Sequence, residues 1–141
     1  MPHVSTDKTK IDVEKVIHFL LDESYWARNR TVDQIKSSLD HSLCFGLYEG
    51  DEMIAFARVI TDYAVFAYLA DVFVDKEFRG KGHAKLLMNA IMKHPDLQTI
   101  YRWMLGTMDA HELYRPYGFQ EVKDPKRWME YLPKGSEIVP R

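Results

Sequence analysis

The chain has 141 residues, 46% of them hydrophobic, with a formal net charge of −2. That is enough apolar material for one domain with its own core, and it excludes a disordered chain. The near-neutral balance excludes a global field that would draw nucleic acid or an anionic membrane, so neither is expected as a partner.

Residues 1–10 are polar, and no secretory leader is expected there. Residues 3–11 suit a short edge strand. Asp12 is placed to cap a helix, although Lys15 stands where a capping box has Glu. Val13, Val16, Ile17, Leu20 and Leu21 follow at helical spacing. Thr31 is a second cap, ahead of a shorter helix that turns Ile35 and Leu39 inward. Residues 42–48 and 53–60 are rich in strand formers, and Glu49-Gly50-Asp51-Glu52 joins them as a hairpin. Cys44, the one cysteine, lies in the first of these strands and cannot form a disulfide within the chain. That fits a reducing compartment and a cytoplasmic location.

Residues 64–74 form a long apolar run with one acid, Asp71, near its end. A strand buried on both faces reads this way. A glycine-rich turn follows, then a helix whose stripe is Leu86, Leu87, Ala90 and Ile91, stopped near His94-Pro95. Residues 99–105 are another strand, and residues 108–114 a short helix broken at Pro116. Residues 119–122 resume a strand after Gly118, and residues 128–132 are read as the last one. A strand–helix–strand order implies parallel pairing, while the early hairpin is antiparallel. The expectation is one α/β domain over residues 1–141, with a mixed sheet and helices on both faces. No apolar run reaches the ~20 residues that span a bilayer.

The turn between the long strand and its helix carries the chemistry. Backbone N–H groups at a helix start lack internal partners and sit at the positive end of the dipole, so they hold phosphate well. Gly80 and Gly82 let a ligand approach the backbone, and Arg79, Lys81 and Lys85 add local positive charge. Three phosphate motifs compete here. A P-loop fails because His83 and Ala84 follow Gly82. A dinucleotide fingerprint is weak because Lys85 stands at its third glycine. The pattern [QR]-x-x-G-x-[GA] is matched by Arg79, Gly82 and Ala84.

This segment resembles the pyrophosphate-binding turn of the GNAT superfamily of N-acetyltransferases. A second stretch, Ala110-His111-Glu112-Leu113-Tyr114-Arg115-Pro116-Tyr117-Gly118-Phe119, is similar to that family's A-x-x-L-Y-x-x-x-G-F landmark. The resemblance spans roughly residues 44–123. It implies a twisted, mostly antiparallel sheet of about six or seven strands with about four helices, and splayed parallel strands at a coenzyme A site. It also implies an acetyl-CoA-dependent transfer to a primary amine of a small molecule or peptide, by direct attack. An acyl-CoA-binding sensor module without turnover is the alternative.

By the same resemblance, the cofactor contacts are Phe73 and Val74 on the strand, the turn Arg79, Gly80, Lys81, Gly82, His83, Ala84 and Lys85, then Thr107 and Tyr114. Backbone donors near Phe73 and Val74 would face the thioester carbonyl. Tyr114 is the expected donor to the leaving sulfur. A tyrosine with pKa ~10 is a weaker acid than a thiol at ~8.5, so it acts as a hydrogen-bond donor rather than a complete proton source. Read without the family, it is a core tyrosine. Asp71 is the candidate base, or else a structural acid. The chain departs from the family at Ala70, where many relatives carry glutamate, and at Thr107, where relatives often carry asparagine. His111 is a weaker base candidate, read as a partly buried packing residue.

For the acceptor, Tyr25, Trp26, Arg28 and Phe45 are the named candidates, with Arg58, Asp62, Tyr63, Trp103 and Trp128 behind them. Arg28 or Arg58 would pair with a substrate carboxylate. Cys44 has no obvious histidine partner, so a covalent acyl-enzyme is not expected. The six histidines form no H-E-x-x-H or Cys/His cluster, so no metal is expected. A homodimer is left open.

Overall fold

Two side-chain caps start the N-terminal helices. Asp12 accepts from the Lys15 N–H and begins α1 (Val13–His18). Thr31 accepts from the Gln34 N–H, Gln34 Oε1 accepts in return from the Thr31 N–H, and this capping box begins α2 (Val32–Asp40). The computed structural model describes residues 1–134. Its remaining elements are β1 (His3–Ser5), β2 (Leu43–Glu49), β3 (Glu52–Thr61), β4 (Phe66–Val74), α3 (His83–Lys93), β5 (Arg102–Leu105) and α4 (His111–Tyr114). After α1 the chain makes a π-helical turn over Phe19–Glu23. The buried Ser24 hydroxyl ends it, donating to Leu20 O and accepting from the Ala27 N–H.

The strands form one sheet in the order β1-β2-β3-β4-β5. The first four are antiparallel neighbours, and β4 pairs with β5 in parallel. The parallel register runs from Phe66↔Arg102 to Leu69↔Leu105. There β5 ends, while β4 continues to Val74, so the sheet opens between them. Helix α3 lays Leu87, Met88 and Ile91 on one face, against Phe45, Leu47 and Leu69. Val16, Leu20, Ile35 and Leu39 cover Cys44, Met53, Phe56 and Phe73 on the other. Helices thus lie on both faces, as expected. Among the described residues no helix is long and apolar enough to cross a membrane.

Four differences from the sequence reading have local causes. Among the described residues the sheet has five strands, not six or seven. Residues 119–122 and 128–132 are irregular; Met129 is 96% and Tyr131 83% exposed, so a strand there would bury little apolar surface. The first strand stops at Ser5 because Asp7 accepts from the Thr9 N–H and starts a 3₁₀ turn. β4 is not buried on both faces: Tyr68, Ala70, Val72 and Val74 are half-buried. Finally, β4 is bulged. Phe56 faces Phe73 but Arg58 faces Ala70, so β4 carries one extra residue, and Asp71 takes φ +54° within it.

Candidate active site

The glycine turn is held from both sides. Asp75 closes β4, its N–H donating to Ile54 O, its Oδ1 accepting from the Glu77 N–H and its Oδ2 lying 2.7 Å from Lys15 Nζ. Arg79 Nε donates back to Val74 O, and His83 Nδ1 to Phe78 O. Gly80 and Gly82 stand at φ +79° and +81°, in the left-handed region, and Gly82 caps α3. A β-carbon at either would meet no atom within 4 Å. The turn is therefore an open cradle at a helix start, with a backbone conformation that favours glycine.

A cavity of about 540 Å³ lies on this cradle. Phe73, Val74, Arg79, Gly80, Gly82, His83, Ala84, Lys85 and Tyr114, all nominated from the sequence, line it. Lys81 does not; its ammonium lies 5.9 Å from the centre of the Phe78 ring. Thr107 is also outside this lining, and its hydroxyl accepts from the Ala110 N–H at the start of α4. Asp75 and Phe73 share one side of β4, since Ile54 faces the first and Phe56 the second. The alternation of an antiparallel ladder then points the Phe73 N–H at β3 and the Val74 N–H into the opening.

A second cavity, of about 200 Å³, occupies the opening between β4 and β5. It shares Tyr25, Trp26, Val72, Asp109, Ala110 and Tyr114 with the first. Tyr114 is buried, and that burial, with smaller contributions from Tyr25 and Asp109, pushes its hydroxyl up to about 12. It stays protonated at neutral pH. The Tyr25 hydroxyl accepts from the Met108 N–H, tying the segment after α1 to the loop before α4.

The second cavity has Asp71, Arg30 and Arg58 in its wall. Asp71 Oδ1 accepts from Trp26 Nε1, and Oδ2 from Arg30 Nη1 and Arg58 Nε. Burial alone would raise this carboxyl, but the hydrogen bonds and charges of Arg30 and Arg58, with Trp26, outweigh it and hold it below the usual carboxylate range. A carboxylate so engaged fits an anchor better than a base. Cys44 is fully buried, and burial pushes its thiol up to about 11. A thiol of that kind is not an activated nucleophile.

Several candidates lie elsewhere. Phe45 is 1% exposed, in the core with its ring edge-on to His94. Arg28 Nε donates to Ser24 O, and the residue lines neither cavity. Asp62 accepts from the Ala64, Val65 and Phe66 N–H groups and shapes the turn before β4. Trp128 packs on the Arg102 guanidinium. His111 is exposed rather than packed, and lines a groove on the outer side of β5. The sequence reading missed Arg30 and Asp109. Arg30 carries no motif, and only the fold brings it across 41 residues to Asp71. Asp109 stands directly before the second landmark, a position that could have singled it out.

Residues 13–119 match the model of the acetyltransferase (GNAT) family. A Gibberella zeae protein named for acetyltransferase activity is 30% identical over 134 residues, covering 79% of this chain and 74% of its own. The crystal structure of a GNAT family protein from Xanthomonas campestris pv. campestris is 47% identical, with a TM-score of 0.90 and 94% of each chain covered. A Clostridium acetobutylicum protein solved with acetyl-CoA shares the fold, with a TM-score of 0.66 over 93% of this chain and 96% of its own, at 18% identity.

Proposed function

The chain belongs to the acetyltransferase (GNAT) family, and from that premise we propose that it transfers an acetyl group from acetyl-CoA to a primary amine of a small molecule or peptide. The observation that carries this reading is the shared wall: the cavity on the glycine turn and the cavity in the sheet opening meet at Tyr114. One holds the donor, the other the acceptor.

The cradle suits a pyrophosphate. Its N–H groups open a helix, both glycines are left-handed with free space beside them, and Arg79 and Lys85 line the cavity. Bound there, acetyl-CoA supplies the thioester. The Val74 N–H faces the opening, a fixed donor for charge developing on the acyl oxygen. Tyr114 keeps its proton and donates a hydrogen bond to the departing sulfur. Asp109, in the wall of both cavities, draws the ammonium form of the acceptor toward Tyr114. The ammonium yields one proton to solvent to free its lone pair for attack, and the second proton, lost as the amide forms, balances the thiolate that leaves as the CoA thiol. Asp71 is assigned no proton transfer; it anchors Trp26, Arg30 and Arg58. Holding the two reactants together supplies much of the rate. We also infer a cytoplasmic location, in keeping with the lone cysteine.

The test is thiol release from acetyl-CoA with a panel of amines, beside calorimetry with CoA. Turnover with an amine and CoA binding are expected. CoA binding without turnover on any amine overturns the enzyme in favour of a silent acyl-CoA-binding module. Absence of CoA binding overturns both.

A further inference from the structure

We propose that the acceptor carries an anionic group, a carboxylate or a phosphate, at the end away from its amine, and that Arg30 reads it. This deepens the acetyl-transfer reading and rests on it. The wall of the acceptor cavity carries a charge imbalance at Asp71. Arg30 Nη1 and Arg58 Nε lie 2.8 and 2.9 Å from the same oxygen of Asp71. The third donor, the Trp26 indole at 2.8 Å, is neutral. Two guanidinium groups share one carboxylate, and one positive charge is left over.

That charge is poorly hydrated. The side chains of Asp71, Arg58 and Arg30 are 1%, 8% and 23% exposed. A surplus charge at such depth is costly, and an anion relieves the cost. Arg58 has little left to offer: Nε is on Asp71 and Nη1 donates to Ser42 Oγ at 3.0 Å. Arg30 is the more exposed of the two and lines the cavity. Its Nη1 is spent on Asp71, which leaves the Nε–Nη2 edge, the fork that matches a carboxylate or phosphate. Among the described residues no second carboxylate pairs with Arg30; Asp109 lines the same cavity without forming that ion pair.

The cavity is therefore polarised along its length. Asp109 and Tyr114 belong to the wall shared with the donor cavity, while Arg30, Arg58 and Asp71 line the acceptor cavity alone. An amine that enters with its ammonium toward Asp109 places its far end near the surplus positive charge. At about 200 Å³ the cavity suits a small anionic amine or the end of a larger one.

The experiment is acetylation of matched amines: ω-amino acids of increasing length, their neutral amides, and aminoalkyl phosphates of the same lengths. The expected result is a kcat/KM about tenfold to a hundredfold higher for an anionic member than for its neutral partner. The carboxylate and phosphate arms identify which anion is preferred. Arg30→Met should bring the charged-to-neutral ratio near one while CoA affinity is unchanged. A merely structural loss would lower both members equally and keep the ratio. Arg30→Lys leaves a cation beside Asp71, covers the case in which Arg30→Met does not fold, and should lower the ratio because the fork is gone. Equal rates for charged and neutral members overturn this inference and leave acetyl transfer standing. A ratio unchanged in the variants overturns the role of Arg30. Turnover on no amine, with CoA bound, overturns the transfer reading and this inference with it.

Discussion

The indole nitrogen of Trp26 donates to Oδ1 of Asp71 at 2.8 Å, across 45 residues of sequence. This bond docks the irregular segment between α1 and α2 onto the bulge of β4, and Arg30 adds a second tie from the same segment. The acceptor cavity exists because of that docking, since Tyr25, Trp26 and Arg30 form one of its walls.

Asp71→Asn should therefore cost stability. It leaves Arg30 and Arg58 buried without a counter-charge, and breaking a buried ion pair costs about 3–5 kcal/mol. Denaturant unfolding of the variant measures it. The pH dependence has a definite sign. The folded-state pKa of Asp71 lies below the ordinary value of 3.8, so its contribution is present above 3.8 and is lost as pH falls through the lowered value. The gap between wild type and Asp71→Asn should close only in that acid window. A gap that closes near neutral pH would return Asp71 to the role of a poised base.

Gly82 and Gly50 make a controlled pair. Both have positive φ, +81° and +60°, and at neither would a β-carbon meet an atom within 4 Å. A valine at each meets the same kind of strain, at least the about 1–2 kcal/mol that a left-handed residue costs. Only Gly82 lies in the cradle. Gly82→Val should weaken CoA binding by at least ~tenfold, while Gly50→Val loses stability with CoA affinity unchanged. Equal CoA affinities in the two variants, measured by calorimetry, would remove the cradle from the binding site.

The cradle was legible in sequence because its physics is local: two glycines, a helix start and flanking cations lie within a few residues. The caps at Asp12 and Thr31 were legible for the same reason. Arg30 was not, because its function depends on a partner reached only after β4 bulges at Asp71. Phe45 and Arg28 are candidates because they lie in the segments that the family resemblance links to the acceptor, and the fold turns the first into the core and the second onto Ser24. The strands expected at residues 119–122 and 128–132 failed for a different reason. At 128–132, Met129 and Tyr131 find no face to bury and Trp128 settles on Arg102, while in 119–122 Phe119 packs on Trp103 and Tyr114 without a strand forming around it.

Cys44→Ala should leave turnover unchanged. The thiol is fully buried, its pKa is pushed up to about 11, and it lines neither cavity. The loss of one buried sulfur should cost about 1 kcal/mol. In the folded protein, alkylation by iodoacetamide should proceed only as fast as the chain opens. Fast alkylation at neutral pH, or a variant without turnover, would bring a covalent acyl-enzyme back into consideration.

Tyr114→Phe removes a single oxygen from the wall where the two cavities meet. The ring remains, so its packing against Phe119 and the core should persist. If the hydroxyl donates to the departing sulfur, the loss falls on the chemical step and not on cosubstrate binding. The expected result is a kcat lower by about a hundredfold, with the CoA dissociation constant unchanged. The pH profile separates this role from that of a base. Burial pushes the hydroxyl up to about 12, so Tyr114 keeps its proton across the working range. Wild-type kcat should then show no alkaline loss from this group until the pH approaches about 12. An alkaline limb near neutral pH that disappears in Tyr114→Phe would mean that its proton is lost at working pH. Unchanged kcat in the variant would leave Tyr114 as a packing residue and move the donor role to another group in the shared wall.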